Sequence, residues 1–197
     1  MRPLFALLLL VAACGPSARD IEAAQIHYDL GVSAMEQQHD APTALRELEI
    51  AVAKNPRLAE AQWAIGIVDH LMLHKPEEAV GHYLRALELN PKYSEAANNL
   101  GDAYIDLGRY TEAAAMFRRA LSDELYRTPY LAQGNLGWAL YKSGDTDGGI
   151  QNLKAALAAN KGFCQGYRLL GMIYAESGKL DDAEQQFTTF HEKCPDF

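Results

Sequence analysis

The sequence has little positive charge and few cysteines. It carries 18 lysines and arginines against 26 aspartates and glutamates, a formal net charge of −8. Nucleic acid is therefore a poor partner, since phosphate binding needs a basic surface, and an anionic membrane would repel the chain. The three cysteines are an odd number, so one of them needs a role outside an intrachain pair. Hydrophobic residues make up 49%, enough to build a folded globular protein.

Familiar catalytic and metal-binding motifs are also absent. The chain has no Gly-rich phosphate loop, no Gly-x-Ser-x-Gly elbow and no Cys-x-x-Cys pair. His70 and His74 are four residues apart with two glutamates nearby, but a metal site needs more ligands and a fixed geometry, and the stretch runs into a turn at Pro76. We therefore predict a protein without enzymatic activity, cofactor, bound metal or small-molecule substrate.

The longest apolar run is too short to span a bilayer. It has ten residues, from Leu4 to Ala13, after a short positive start, as in secretory signal peptides. The segment Val11-Ala12-Ala13-Cys14 resembles the lipobox of bacterial lipoproteins, in which the cysteine is lipidated and becomes the new N-terminus. An ordinary signal peptide with a chance cysteine at the cleavage site is the alternative. The resemblance implies a signal peptide over 1–13, a lipid on Cys14 and a short tether over 14–20.

The residue after this cysteine bears on localisation. In Gram-negative lipoproteins an aspartate there tends to retain the protein in the inner membrane, and this chain has Gly15 instead. The resemblance therefore implies an outer-membrane lipoprotein that faces the periplasm and is held there by its N-terminal lipid.

The rest of the chain repeats itself. A glycine that follows Leu or Ile recurs at intervals of 35, 35, 36 and 34 residues, at Gly31, Gly66, Gly101, Gly137 and Gly171. A small residue follows each one, at Ala44, Ala79, Ala113, Gly149 and Ala183. A large apolar residue comes next, at Leu48, Tyr83, Phe117, Leu153 and Phe187. Antiparallel helices approach closely where small residues face each other, and large apolar residues fill the gaps between them. The pattern resembles the tetratricopeptide (TPR) repeat.

This resemblance implies an all-α fold, a TPR superhelical solenoid of about five helix-turn-helix repeats within residues 21–197. The repeats are expected at about 24–58, 59–93, 94–127, 130–163 and 164–197. Gly108, Gly144 and Gly178 stand where the first helix should stop, a place that suits a left-handed residue. Repeats one and two carry an extra residue, expected in the turns near Pro42 and Pro76. The segment 121–130 is expected to lengthen the loop between repeats three and four.

Two of the cysteines flank the last repeat. Cys164 opens its first helix and Cys194 closes its second, so the two sulfurs should lie side by side in a helical hairpin. An exported compartment permits disulfides, and we predict this one, with two buried free thiols as the alternative. The chain shows no capping helix after this repeat, an arrangement that predicts either a partner or a local cross-link there.

In TPR proteins the partner lies on the concave face, along the first helix of each repeat. Counting the repeat glycine as position 8, this face carries positions 2, 5, 9 and 12. The apolar members predicted to bind a partner are Tyr28, Val32, Met35, Trp63, Ile67, Leu131, Trp138 and Tyr141. Repeat three instead offers Glu95, Asn98 and Asp102, and Arg168 supplies a single basic group, so a carboxylate clamp is not expected. Trp63 and Trp138 have a second explanation, packing against neighbouring helices.

A lipid anchor, a TPR solenoid and an acidic surface together resemble the outer-membrane pilotins of type IV pili. The stretch Ala120-Leu121-Ser122-Asp123, with Tyr126, Thr128-Pro129-Tyr130 and Asn135-Leu136-Gly137, is similar to the linker in that family, as is the spacing from Cys164 to Cys194. The resemblance implies a non-enzymatic protein that binds secretin subunits and promotes their localisation and multimer assembly. Pilotins carry about six repeats and this chain five. Another TPR lipoprotein scaffold, for barrel-protein insertion or cell-wall enzymes, is the alternative.

Overall fold

The structure, a computed structural model, describes residues 15–195. The expected signal peptide and Cys14 lie outside the described residues. The prediction of an all-α fold is confirmed, because the described chain forms helices and no strands. The helices are α1 Ala18–Ser33, α2 Ala41–Lys54, α3 Ala59–Ile67, α4 Pro76–Leu89, α5 Ser94–Asp106, α6 Tyr110–Leu121, α7 Pro129–Lys142, α8 Thr146–Ala159, α9 Cys164–Glu176 and α10 Leu180–Lys193.

Consecutive helices pair into five antiparallel hairpins that stack in chain order. α1 begins inside the range assigned to the tether, because the Ser17 hydroxyl accepts a hydrogen bond from the Asp20 amide and caps the helix. The repeat period thus corresponds to one hairpin, and the apolar faces of neighbouring hairpins close over each other to form the core.

The repeat glycines lie where the two helices of each hairpin cross. A methyl group added to Gly66 would come within 2.6 Å of the Tyr83 ring, and one added to Gly101 within 2.5 Å of the Phe117 ring. Both rings are fully buried. Glycine is therefore needed at the crossing because the large apolar residue of the second helix occupies the space of its missing side chain.

The first two repeats place their extra residue inside the helix rather than in the turn. A π-helical turn follows α1 at Ala34–Gln38 and another follows α3 at Val68–Met72. A π-helical turn accommodates one additional residue while the backbone remains hydrogen-bonded. The expected position near Pro42 and Pro76 is corrected accordingly.

The residues that end these first helices have left-handed backbone conformations. Gly108, Gly144 and Gly178 have φ values of 71°, 100° and 73°, as their spacing predicts. In repeats one and two the same conformation falls on His39 (φ 52°) and His74 (φ 55°), which lack the freedom of glycine. The histidine pair near Pro76 is thus split between a buried residue, His70, and a turn residue, His74.

Adjacent repeats are joined by a turn built on a side-chain oxygen. Asn55, Asn90 and Asn160 each accept a hydrogen bond from the backbone amide two residues on, at 3.1, 3.2 and 2.9 Å. After repeat three, Asp123 makes the same bond to the Leu125 amide at 3.0 Å. The loop there is longer, as expected, with Tyr126 buried and Leu125 88% exposed.

The last repeat is joined to itself by a disulfide. Cys164, the first residue of α9, is bonded to Cys194, just after α10, and their Cα atoms lie 5.9 Å apart. The outer side of α10 has no further helix to cover it among the described residues. Leu180 is 68% exposed and Phe187 39% exposed on this side.

Candidate partner-binding surface

The eight apolar residues predicted to bind a partner all lie on first helices or the π-helical turn after α1, and all are half-buried. They fall into three groups because they pack on three different parts of the core. Tyr28 and Met35 contact the N-terminal cluster, and Trp63 and Ile67 contact the middle cluster. The C-terminal cluster receives Leu131, Trp138 and Tyr141. Val32 lies on α1 between the two residues of the first group.

Both tryptophans pack against neighbours and keep part of their surface exposed. The Trp63 ring lies 5.4 Å from the Tyr93 ring, and its buried Nε1 has no hydrogen-bond partner among the described residues. Trp138 lies 5.6 Å from Tyr141, and the Lys142 ammonium stands 5.3 Å from its ring centre. Packing in the fold therefore explains the buried part of each tryptophan but leaves the exposed part available to a partner.

The concave face deepens into a cavity of about 460 Å³ that is lined by residues of repeats two to five. Of the eight predicted residues, Leu131 and Trp138 line it. The other lining residues are both polar and apolar: His70, Leu71, Asn98, Asp102, Ile105, Asp106, Asn135, Phe163, Gln165, Arg168, Leu169 and Met172.

A glycine at one position of the concave face brings an aromatic ring into the lining of this cavity. Position 5 holds Trp63 in repeat two but Gly134 in repeat four. A methyl group on Gly134 would overlap the Phe163 ring, so the missing side chain leaves room for that ring, which lines the cavity. Asn98, Asp102 and Arg168 occupy the concave-face positions that their spacing predicts, although binding was predicted for the apolar members of the face alone.

Asp102 is the electrostatic centre of the cavity. Its carboxylate accepts hydrogen bonds from Asn98 Nδ2 at 3.1 Å and from Asn135 Nδ2 at 2.7 Å. His70 Nε2 lies 2.8 Å from an Asp106 carboxylate oxygen, one turn further along α5. Burial, followed by the negative charge of Asp106, raises the pKa of Asp102 to about 7, against the opposing effect of the Asn98 hydrogen bond.

Replacing Asp102 by asparagine should therefore stabilise the fold at high pH. The folded chain holds the proton of Asp102 up to about pH 7, whereas an unperturbed aspartate releases it near 3.8. Stability is thus lost as the pH rises from about 4 to 7, and the variant avoids this loss. We expect a gain of about 2 kcal/mol at pH 8, below the limit of about 4 that the pKa difference sets, because water in the cavity screens the charge. Urea unfolding at pH 4.5 and 8 would measure it; an equal gain at both pH values would contradict the assignment.

Two other side chains that line the cavity carry a polar atom without a partner among the described residues. Asn98 is 7% exposed, and its enclosed Oδ1 makes no hydrogen bond with any described residue. Arg168 Nε is likewise buried without a partner, and no carboxylate of residues 15–195 lies within 4 Å of that guanidinium group. Two residues of the cavity lining therefore carry an enclosed, unpaired polar atom, an acceptor on α5 and a donor on α9.

The part of the chain that the structure describes has neither a helix suited to crossing a membrane nor a cluster of metal-binding side chains. No helix there combines the length and the apolar character needed to cross a membrane. No three side chains of His, Cys, Asp or Glu in residues 15–195 come together as a metal site.

Solved structures of similar fold cover most of the chain. PilW, described as a widely conserved type IV pilus biogenesis factor, superposes with a TM-score of 0.81 and 27% identity over 88% of this chain and 79% of PilW. PilF of Pseudomonas aeruginosa gives 0.78 and 21% identity over 89% of this chain and 78% of PilF. MamA gives 0.73 and 23% identity over 87% and 92%. PilF and MamA, below 25% identity, bear on the fold alone.

Sequence comparison gives a much larger protein and a repeat family. A probable UDP-N-acetylglucosamine–peptide N-acetylglucosaminyltransferase, SPINDLY of Hordeum vulgare, is 32% identical over 113 residues, 55% of this chain. The chain spans 12% of that relative, so the likeness concerns a segment of it. The tetratricopeptide repeat model matches residues 69–129 and 135–195, together more than half of the chain. With five stacked hairpins built on this pattern, the chain belongs to the tetratricopeptide repeat family, whose fold is typically a scaffold for protein interaction.

Proposed function

We propose that this chain is a non-enzymatic outer-membrane lipoprotein, anchored through Cys14 and facing the periplasm. It binds secretin subunits and promotes their outer-membrane localisation and multimer assembly for type IV pili. The observation that carries the proposal is the series of half-buried apolar side chains along the first helices of repeats one, two and four. Half-buried aromatic residues held in place by the core are the kind of residue that dominates binding energy at protein interfaces.

Two other observations support this proposal. The similarity to PilW, a type IV pilus biogenesis factor, extends over most of both chains. The disulfide of the last repeat is of a kind that persists in oxidising compartments such as the bacterial periplasm.

The mechanism follows from the anchor and the concave face together. An apolar or amphipathic segment of the secretin lies across Tyr28, Val32, Trp63 and Ile67. The described part of the chain turns helical at Ala18, four residues after Cys14, so the concave face stays near the bilayer. Holding the segment there raises its effective concentration at the membrane, and this favours meeting between secretin subunits.

Charged substitutions on this surface should abolish secretin assembly. Ile67→Glu or Trp63→Glu puts a charge among half-buried apolar side chains, and we expect at least a tenfold loss of detergent-resistant secretin multimers on an immunoblot. The matched control is Leu84→Glu on the second helix of repeat two, where the leucine is 41% exposed. Thermal unfolding of each purified variant separates lost binding from lost fold. Normal multimers in the folded Ile67→Glu variant would refute this use of the surface.

A strain that lacks the gene tests the function itself. We expect the multimers to disappear while secretin monomer remains. Unchanged multimers would favour the other scaffold functions, for barrel-protein insertion or for cell-wall enzymes, and crosslinking in the outer membrane would then identify the partner.

A further inference from the structure

The polar centre of the concave cavity has a composition that packing does not explain. Asp102 is kept half-buried beside a second carboxylate, Asp106, at a cost that its raised pKa reflects. Residues that weaken the fold in this way concentrate at functional sites, where a ligand supplies the missing interaction.

The missing interaction is a hydrogen-bond donor with positive charge. The amide groups of Asn98 and Asn135 already donate to Asp102, and His70 pairs with Asp106. No ion pair within 4 Å neutralises Asp102 in residues 15–195. Independently of the carboxylates, the buried Oδ1 of Asn98 is an acceptor without a donor. The side chains of Asn98 and Asp102, which both line the cavity, therefore carry two acceptors of different chemistry.

We infer that this cavity takes the side chain of a lysine or arginine of the bound partner segment, with its cationic group between the Asp102 carboxylate and Asn98 Oδ1. The inference rests on the proposed function only in that a peptide segment lies along the concave face; it does not require the segment to come from a secretin. Hydrogen bonds from a charged donor to a carboxylate are among the strongest that a protein makes.

The remaining lining suits the rest of such a segment. Leu131 and Trp138 present apolar surface to the aliphatic stem of the basic residue. Arg168 Nε, the free donor on α9, can bind a carbonyl oxygen of the peptide backbone. α7 contacts both α5 and α9, so the acceptor and the donor lie on either side of repeat four. A volume of about 460 Å³ is within the range of ligand sites and exceeds the needs of one side chain.

Selection from a random peptide library displayed on phage, with the purified full-length chain as target, tests the inference without any assumption about the partner. We expect the selected peptides to share a lysine or arginine. Replacing that residue by methionine in a synthetic peptide should weaken binding at least tenfold, as measured by fluorescence anisotropy. The peptide should bind Asp102→Asn at least tenfold more weakly as well.

Two controls make the result specific to the cavity. Asp147→Asn removes the same charge from an exposed position on α8, the second helix of repeat four, and should bind the peptide like the parent chain. Asn98→Ala removes the free acceptor without changing the charge, and should weaken binding several-fold. Because Asp102→Asn is expected to stabilise the fold, unfolding cannot account for its loss of binding.

The outcomes separate this inference from the proposed function. Failure to select any peptide, selected peptides without a basic residue, or equal binding to Asp102→Asn would each overturn the basic-residue site. Basic peptides that need Asp102, together with normal secretin multimers in the deletion strain, would uphold the site and refute the secretin partner. Secretin multimers that depend on the gene but not on Asp102, together with selected peptides that show no preference for basic residues, would uphold the secretin partner and refute the basic-residue site.

Discussion

Replacing Gly149 by alanine is expected to lower the free energy of unfolding by about 2–3 kcal/mol. Alanine occupies the equivalent position in each of the other four repeats, so the repeat pattern alone predicts a harmless change. In the structure a methyl group on Gly149 would lie 2.8 Å from the Gly137 carbonyl oxygen and 2.9 Å from Tyr141 Cβ. The oxygen belongs to the helix backbone and cannot turn aside, so α7 and α8 must move apart.

Gly81→Ala provides the matched control. Gly81 lies in the interior of α4, is exposed, and would have nothing within 4 Å of an added methyl group. The same substitution there should raise stability by about 0.5–1 kcal/mol, because alanine is the better helix former. If the two variants change stability in opposite directions, the loss in Gly149→Ala comes from the close helix crossing and not from the helix preference of alanine.

Urea unfolding, monitored by tryptophan fluorescence, measures the loss of stability at the fourth hairpin itself. Trp138 adjoins Gly137 on α7, and a Trp63→Phe background leaves it as the single tryptophan of the chain. We expect the transition of Trp138 to move to lower urea in Gly149→Ala. An unchanged midpoint would mean that α7 and α8 move apart to admit the methyl group at little cost in free energy, contrary to the close packing of their backbones.

The sequence predicted the hairpins well because their determinants are local and repeated. A glycine at one position and a large apolar residue about 17 residues later describe a single contact, such as Gly66 with Tyr83. The left-handed residues at Gly108, Gly144 and Gly178 were predictable for the same reason, since glycine is the residue that adopts this conformation freely.

The π-helical turns could not be read from the pattern. An extra residue can enter a turn or the end of a helix, and the sequence does not distinguish two solutions of similar energy. In repeats one and two the left-handed positions are occupied by His39 and His74, so no glycine marked them in the sequence. At the junction after repeat three, Asp123 replaces the asparagine of the other junctions, so the shared turn chemistry was hidden by a change of residue.

The cavity was missed because it depends on residues from several repeats. Phe163, which lines it, packs where Gly134 of the preceding repeat has no side chain. Its polar side was within reach of the sequence, since Asn98, Asp102 and Arg168 occupy positions of the concave face. The sequence places them on that face, but only the structure shows that Asn98 Oδ1 and Arg168 Nε are enclosed without a partner.

Reducing the disulfide between Cys164 and Cys194 is expected to destabilise the last repeat by about 3–4 kcal/mol, since the bond closes a loop of about 31 residues. The effect should be concentrated there because α10 packs mainly against α9 among the described helices. Within this helix Ala183 is the one buried residue, and its outer side leaves Leu180 and Phe187 exposed. Without the cross-link, a terminal hairpin with one uncovered side opens before the hairpins that are packed on both sides.

Hydrogen exchange on the oxidised and reduced chain measures this opening helix by helix. We expect faster exchange in α9 and α10 after reduction, unchanged exchange in α1–α4, and the same result for the Cys164→Ala/Cys194→Ala variant in oxidising buffer. Faster exchange in all helices would instead mean that the five repeats unfold as one unit.

Local opening has a consequence for binding, because α9 carries both Cys164 and Arg168. The reduced chain should therefore lose the donor at one side of the concave cavity while Asp102 stays in place, and its affinity for basic peptides should fall without any change in the acidic centre.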